Sequence, residues 1–299
     1  MENKRYLKLF ANESEYNSQK DEVMAMPHVV LLEDTKKMVY EPLPPKNEID
    51  YSKEYFTIEA LEDGIFEIKV SQLMTEPTSF KYRLNNEEWV ETMENVSVSL
   101  VTTDKLQISC INDVFSNGWS SLFKFTKSFN VYGNIMSLLY GDDFVGKAYL
   151  KEYLTFGYLF FNTNVVSANN LILPPTTLTN ECYVGMFEGC TRITTAPELL
   201  ATTLAENCYQ SMFNGCTSLT EAPELLATTL AYNCYYGMFA GCISLNYIKM
   251  LAIDVESDDF LTEWVNNVGN TGTFVKKKGV HMPIGDSGIP KGWTVEEVA

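Results

Sequence analysis

The sequence predicts a multidomain α+β protein: an N-terminal arm, a small antiparallel β-sandwich, and a C-terminal α/β repeat solenoid closed by caps. Three observations carry that expectation. Cys182-Tyr183, Cys208-Tyr209 and Cys234-Tyr235 recur every 26 residues, as do Met186-Phe187, Met212-Phe213 and Met238-Phe239. A fixed period in this range marks stacked supersecondary units. Five short runs between residues 56 and 109 alternate apolar and polar side chains, the period of a half-buried strand. Pro42-Leu43-Pro44-Pro45 forces an extended linker near the end of the first 50 residues.

Residues 1–50 form a docking arm with a Pro-rich linker. Tyr6–Phe10 and Val29–Leu32 suit short strands, with a polar stretch from Asn12 to Glu22 between them. So small a segment buries little by itself and needs a surface to pack against. Residues 51–133 form an Ig-like β-sandwich. Its strands are expected at Phe56–Ala60, Ile65–Val70, Phe80–Leu84, Val96–Leu100 and Lys105–Ser109, separated by turns at Glu62-Asp63-Gly64, Glu76-Pro77 and Asn85-Asn86. Trp89 is expected as a core plug.

Residues 134–299 form the solenoid. Ile135–Tyr140 predicts a short helix, and Phe156–Phe161 an irregular first copy, as a capping repeat should be. Regular coils of 26 residues run over about 176–245, each a strand, a turn and a helix. Read as a helix, Leu204–Asn214 collects Leu204, Ala205, Cys208, Tyr209, Met212 and Phe213 over an arc of about 200°. That arc suits a helix flanked by equivalents on both sides. Gly215 reads as a C-terminal stop that tolerates positive φ. After Leu245 the period is lost, and 246–299 read as a C-terminal cap with a helix at Leu261–Val268 and strands at Thr273–Val275 and Trp293–Val298.

The pattern Leu-(Leu/Pro)-Ala-Thr-Thr-Leu-Ala-x-x-Cys-Tyr-x-x-Met-Phe-x-Gly-Cys-x-Ser-Leu resembles the BspA-type leucine-rich repeats of Bacteroidetes and their phages, over about 150–299. The resemblance implies a leucine-rich-repeat-like solenoid with adhesive or structural roles and no catalytic residues. The arm is similar to short N-terminal pieces of Bacteroides-phage structural proteins, crAss-like phages included. Cell-surface members of the family carry export or lipoprotein signals. The start of this sequence lacks the apolar core of such a signal, and the first cysteine is Cys110. The expectation is therefore a non-enzymatic virion protein made in the host cytoplasm, as a head fibre, capsid decoration or tail fibre. Its arm would bind other virion proteins, its solenoid a host-surface glycan or protein, and the chain would be homo-oligomeric. A Bacteroidetes cell-surface adhesin is the alternative.

The net charge of −17 works against nucleic acid, and no stretch approaches the ~20 apolar residues of a membrane span. Six of the seven cysteines lie in the repeats without a Cys-x-x-Cys, and only His28 and His281 accompany them, so no metal or other cofactor is expected. Helix packing at ~8–10 Å would keep equivalent cysteines too far apart for disulfides, leaving a ladder of buried thiols. Gly141-Asp142-Asp143 and Glu256–Asp259 do not fit a calcium loop and read as solvated turns. No nucleophile motif surrounds either histidine, although 39 acidic residues leave a carboxylate pair open. Tyr183, Tyr209 and Tyr235 read as packing between coils. The candidate contact face is a strand-side row of Thr194, Thr195 and Glu198 from one coil and Thr220, Glu221 and Glu224 from the next.

Overall fold

The computed structural model describes residues 29–32, 37–40, 49–255 and 259–299. The chain divides into two compact units, Met1–Asp50 and Tyr51–Ala299. In the first, β1 (Val29–Leu32) pairs antiparallel with β2 (Lys37–Tyr40), Val29 opposite Tyr40. The strand expected at Tyr6–Phe10, His28 and the Pro42–Pro45 linker lie outside the described residues, as do residues 256–258 of the second acidic turn.

The second unit opens with all five expected strands: β3 (Phe56–Ala60), β4 (Gly64–Ile68), β5 (Ser79–Leu84), β7 (Val96–Leu100) and β8 (Lys105–Ile111). Added to them are β6 (Val90–Glu91), β9 (Phe123–Lys124), β10 (Phe129–Asn134) and β11 (Val165–Ile172). They assemble into a six-stranded sheet, β11-β10-β3-β8-β5-β6, and a three-stranded sheet, β7-β4-β9. Aromatic side chains join the two across a shared core: the rings of Phe56 and Phe123 stack at 5.8 Å, and Phe66 meets Phe129 edge-on at 6.0 Å.

The larger sheet is not purely antiparallel. β10 and β11 run parallel, because the chain leaves β10 through the helix α1 (Ser137–Tyr140) and a first coil before returning in the same direction. Parallel neighbours require such a crossover. β11 also begins the repeat stack: the Ala168 N–H donates to the Thr195 carbonyl at 2.9 Å. One apolar core therefore runs from Phe56 to Trp293 without interruption.

Trp89 is not the core plug expected. It is half-buried, T-shaped against Tyr55 at 4.9 Å, with Lys81 Nζ and Arg83 Cζ over its ring at 4.8 and 4.6 Å. Both cations come from β5, and their charge keeps this face at the surface.

The expected helix-bearing, leucine-rich-repeat-like α/β solenoid is overturned. Among the described residues α1, four residues long, is the only α-helix, and no sheet winds into a solenoid. The 26-residue units are stacked coils of consecutive turns. Tyr183, Gly185, Phe187 and Gly189 donate their N–H groups to the carbonyls of Cys208, Gln210, Met212 and Asn214 in the next coil, at 2.7–3.0 Å. The intervening Val184, Met186, Glu188 and Cys190 donate to the residue three back, at 3.0–3.2 Å. An α-helix would send every N–H to its own i−4 carbonyl. Here half of them leave the segment. The geometry repeats every four residues, with positive φ at Glu181, Gly185 and Gly189, then Asn207, Ser211 and Gly215, then Asn233, Gly237 and Gly241. A period of four brings Cys182, Met186 and Cys190 to one side with Tyr183 and Phe187 beside them, all buried.

The coils are hydrogen-bonded neighbours, so they lie at the ~4.8 Å spacing of strands and not at helix spacing. Side chains stack in register: Phe160, Phe187, Phe213 and Phe239 follow one another at 5.0, 5.5 and 5.7 Å, and Tyr183, Tyr209 and Tyr235 at 5.8 and 6.1 Å. The helix-spacing argument against disulfides consequently fails, yet all seven cysteines are free and buried.

Nor is the period lost after Leu245. Tyr235, Gly237, Phe239 and Gly241 donate to the carbonyls of Phe260, Thr262, Trp264 and Asn266 in a further coil, where a helix was expected. β12 (Tyr247–Met250), β13 (Thr273–Lys277) and β14 (Thr294–Val298) form a parallel sheet, with Tyr247 opposite Thr273 and Thr273 opposite Thr294. Trp264 closes the stack, in contact with Phe239 at 6.1 Å and donating from Nε1 to the Gly288 carbonyl at 2.8 Å.

Candidate functional site

The two copies of Ala-Pro-Glu-Leu-Leu-Ala-Thr-Thr-Leu, at 196–204 and 222–230, occupy adjacent coils on the side away from the turns. Pro197 and Pro223 break any regular ladder, so pairing reduces to single bridges, Ser167 with Thr195, Thr177 with Thr203, Glu221 with Tyr247 and Leu225 with Met250. Leu199 and Leu225 point into the core and hold the backbone down. Glu198 and Glu224 beside them face out.

A groove of about 790 Å³ results, and all six residues of the expected contact face line it. Thr194, Thr195, Glu198, Thr220, Glu221 and Glu224 are each exposed. Because the copies are one coil apart, Thr194 aligns with Thr220, Thr195 with Glu221 and Glu198 with Glu224. The floor is fixed from the β11 side, where Thr194 Oγ1 donates to the Val166 carbonyl at 3.1 Å and Thr195 Oγ1 lies 2.6 Å from Ser167 Oγ. Lys249 on β12 pairs with Glu224 at 2.8 Å, and that hydrogen bond holds its ammonium above the usual lysine range. Glu198 and Glu221 leave the groove acidic.

Asn169, Leu200 and Leu226 also line it and were not foreseen. Asn169 belongs to β11, whose Ser167-Ala168-Asn169-Asn170 centre breaks the apolar alternation that would have marked a strand. The two leucines lie two residues after Glu198 and Glu224, with the buried Leu199 and Leu225 between.

Elsewhere several chemistry-bearing side chains are engaged in structure. Asp142 accepts from Tyr55 Oη at 2.9 Å and Lys81 Nζ at 2.7 Å, and the Lys81 bond leads in holding its carboxyl below the usual range. Burial pushes the thiols of Cys182, Cys190, Cys234 and Cys242 up to about 12, and those of Cys208 and Cys216 well above the ordinary value. Thiols so raised stay protonated and are poor nucleophiles. Among the described residues no cluster of three or more His, Cys, Asp and Glu side chains is placed to hold a metal ion, and no helix is long and apolar enough to cross a membrane. No family model, no curated protein and no solved structure matches this chain.

Proposed function

We propose that the chain is a non-enzymatic bacteriophage virion structural protein, a head fibre, capsid decoration or tail fibre, that presents the groove over Thr194–Leu200 and Thr220–Leu226 to a partner surface. The observation that carries the binding part is the alignment of an exact sequence repeat along one groove, which sets equivalent side chains in rows. The virion part rests on the resemblance of the repeats. Threonine hydroxyls and unpaired glutamates suit a partner rich in hydroxyl, amide or cationic groups. An open groove of this kind gives modest affinity per copy, and many copies on one particle supply avidity.

Charge reversal by Glu198→Lys, Glu221→Lys and Glu224→Lys together should weaken attachment of particles to host cells. Thermal stability should change little, since the one ion pair lost lies at the surface and is worth about 1 kcal/mol or less. Unchanged attachment moves the contact face elsewhere. Mass spectrometry of purified particles tests the virion assignment separately: stoichiometric presence supports it, and absence sinks it.

A further inference from the structure

A second recess, of about 330 Å³, opens between the loop preceding β9 and the first coils, and it shares no residue with the groove. Its most prominent side chain is Trp119, 81% exposed. The backbone that carries it is braced: Asn117 Oδ1 accepts from the backbone N–H groups of Trp119 and Ser120 at 3.1 and 2.8 Å. Ser116 Oγ accepts from the Gly118 N–H at 2.9 Å and donates to the Gly157 carbonyl at 2.7 Å, tying the loop to the first coil. A large apolar ring this exposed gains little from folding beyond its contact with Tyr158.

The coils lining the recess depart from their own repeat pattern at this place. The positive-φ position filled by Gly185, Ser211, Gly237 and Glu263 in later coils is Tyr158 in the first, at φ 57°. The position filled by Asn207 and Asn233 is Leu154 in the first coil and Glu181 in the second, at φ 56° and 57°. Asn and Gly tolerate this conformation, whereas Leu154, Tyr158 and Glu181 carry strain in it; all three line the recess, while Ser211 and Glu263 show the same conformation elsewhere in the stack. Space is reserved for the tyrosine: a Cβ on Gly185 would lie 2.4 Å from Tyr158 Cε1. Trp119 and Tyr158 pack together at 6.1 Å with their planes 33° apart, and Tyr153 beside them is 55% exposed.

We propose that this recess is a carbohydrate site that seats one pyranose ring on the open face of Trp119. A pyranose with equatorial substituents shows a face of axial C–H groups, whose weakly positive hydrogens match the negative face of an indole. Its rim carries vicinal hydroxyls, which suit the two acceptor oxygens of Glu181 and the acceptor and donor pair of the Gln210 amide, both at the recess. A quaternary ammonium group would want aromatic faces around it on several sides. Here Trp119 and Tyr158 pack against one another, and of the aromatic side chains at the recess Trp119 is the most exposed. The site depends neither on the groove nor on the virion assignment.

The test is titration of the full chain with methyl β-D-glucopyranoside, followed by tryptophan fluorescence and by the indole N–H resonances. Saturable binding with Kd of order 1–10 mM is expected for so small a ligand. Trp119→Ala should weaken it about tenfold or more while leaving the melting temperature and near-ultraviolet dichroism of the buried tryptophans in place. Trp119→Phe should retain part of the affinity, and the groove charge-reversal variant all of it. Absence of saturation by about 50 mM, equal binding by Trp119→Ala, or saturation by tetramethylammonium chloride in place of the glucoside each overturns the proposal.

Discussion

Replacing Phe213 by alanine should cost more than an ordinary core truncation. Phe213 is fully buried and flanked on both sides by near-parallel rings, Phe187 at 5.5 Å and 1° and Phe239 at 5.7 Å and 6°. Phe-to-Ala changes in cores cost ~3–5 kcal/mol, with the larger values where the cavity cannot close. Here it cannot, because Phe213 donates to Met238 and Phe187 donates to Met212, each at 2.9 Å, and these bonds hold adjacent coils at fixed spacing. Loss of two aromatic pairs, ~0.5–1.5 kcal/mol each, points the same way. A cost of about 4–5 kcal/mol is expected. For a unit the size of residues 51–299, each kcal/mol moves the midpoint by ~2–4 °C, so a fall of about 8–20 °C should appear in near-ultraviolet dichroism and calorimetry. Phe213→Leu, which fills most of the hole, should recover more than half of it. A fall under about 3 °C for Phe213→Ala would refute the rigid-ladder account, since the coils would then be closing on the cavity.

Three further outcomes test the coils. Gly189 and Gly241 both sit at positive φ, 73° and 75°, but a Cβ on Gly189 would lie 2.0 Å from Asn162 Oδ1, whereas one on Gly241 would lie 3.4 Å from Gly215 Cα. Both alanine variants carry the ~1–2 kcal/mol cost of the left-handed region, and Gly189→Ala should lose about 1 kcal/mol more in urea unfolding; equal losses would argue against the packing. The seven buried thiols should resist a charged disulfide reagent in the native protein and all react in denaturant, and rapid native labelling would contradict their burial. Burial raises their folded pKa from about 9 to about 12 in Cys110, Cys182, Cys190, Cys234 and Cys242. Their contribution to stability is therefore intact below about pH 9 and falls as pH rises toward about 12. A melting temperature flat across that window would remove them as a cause of alkaline unfolding.

What the sequence disclosed follows from where the information sits. The five early strands were legible because each alternates within its own five to seven residues, as in Phe56-Thr57-Ile58-Glu59-Ala60. β11 was not, since its partners are β10 and a coil 28 residues away, and neither leaves a mark in Val165–Ile172. Trp89 went to the surface because Tyr55, Lys81 and Arg83 meet it there, a fact of tertiary pairing. After Leu245 the residue types change while the spacing continues, from Phe239 to Trp264 and from Tyr247 to Thr273. Backbone ladders do not depend on side-chain identity, so the coils outlast the pattern that announced them. The six groove residues could be named beforehand because a row needs only the period. The Trp119 recess could not, because its walls come from parts of the chain far apart in sequence.

The contrast between helix and turn coil has a physical root. Apolar pairs at 182–183 and 186–187, then Cys190, fit a period of four better than 3.6, and the wide arc of a helical reading was the sign of that misfit. Glycines four apart at 185 and 189, and again at 237 and 241, would each cost a helix about 1 kcal/mol. In the turn coil they occupy the positive-φ corners that other residues enter with strain. A helix satisfies its N–H groups alone, whereas a turn coil leaves every second one for a neighbour. An isolated coil would therefore combine unfavourable corners with unpaired donors, and it gains stability only from coils already in place. Growth of the stack is cooperative for that reason, and its ends need other material. The first coil has the sheet core, through Phe160 against Phe56 and Phe123 at 6.0 and 5.7 Å. The last has Trp264, bonded to the Gly288 carbonyl, where the repeat gives way to a loop that carries no further copy.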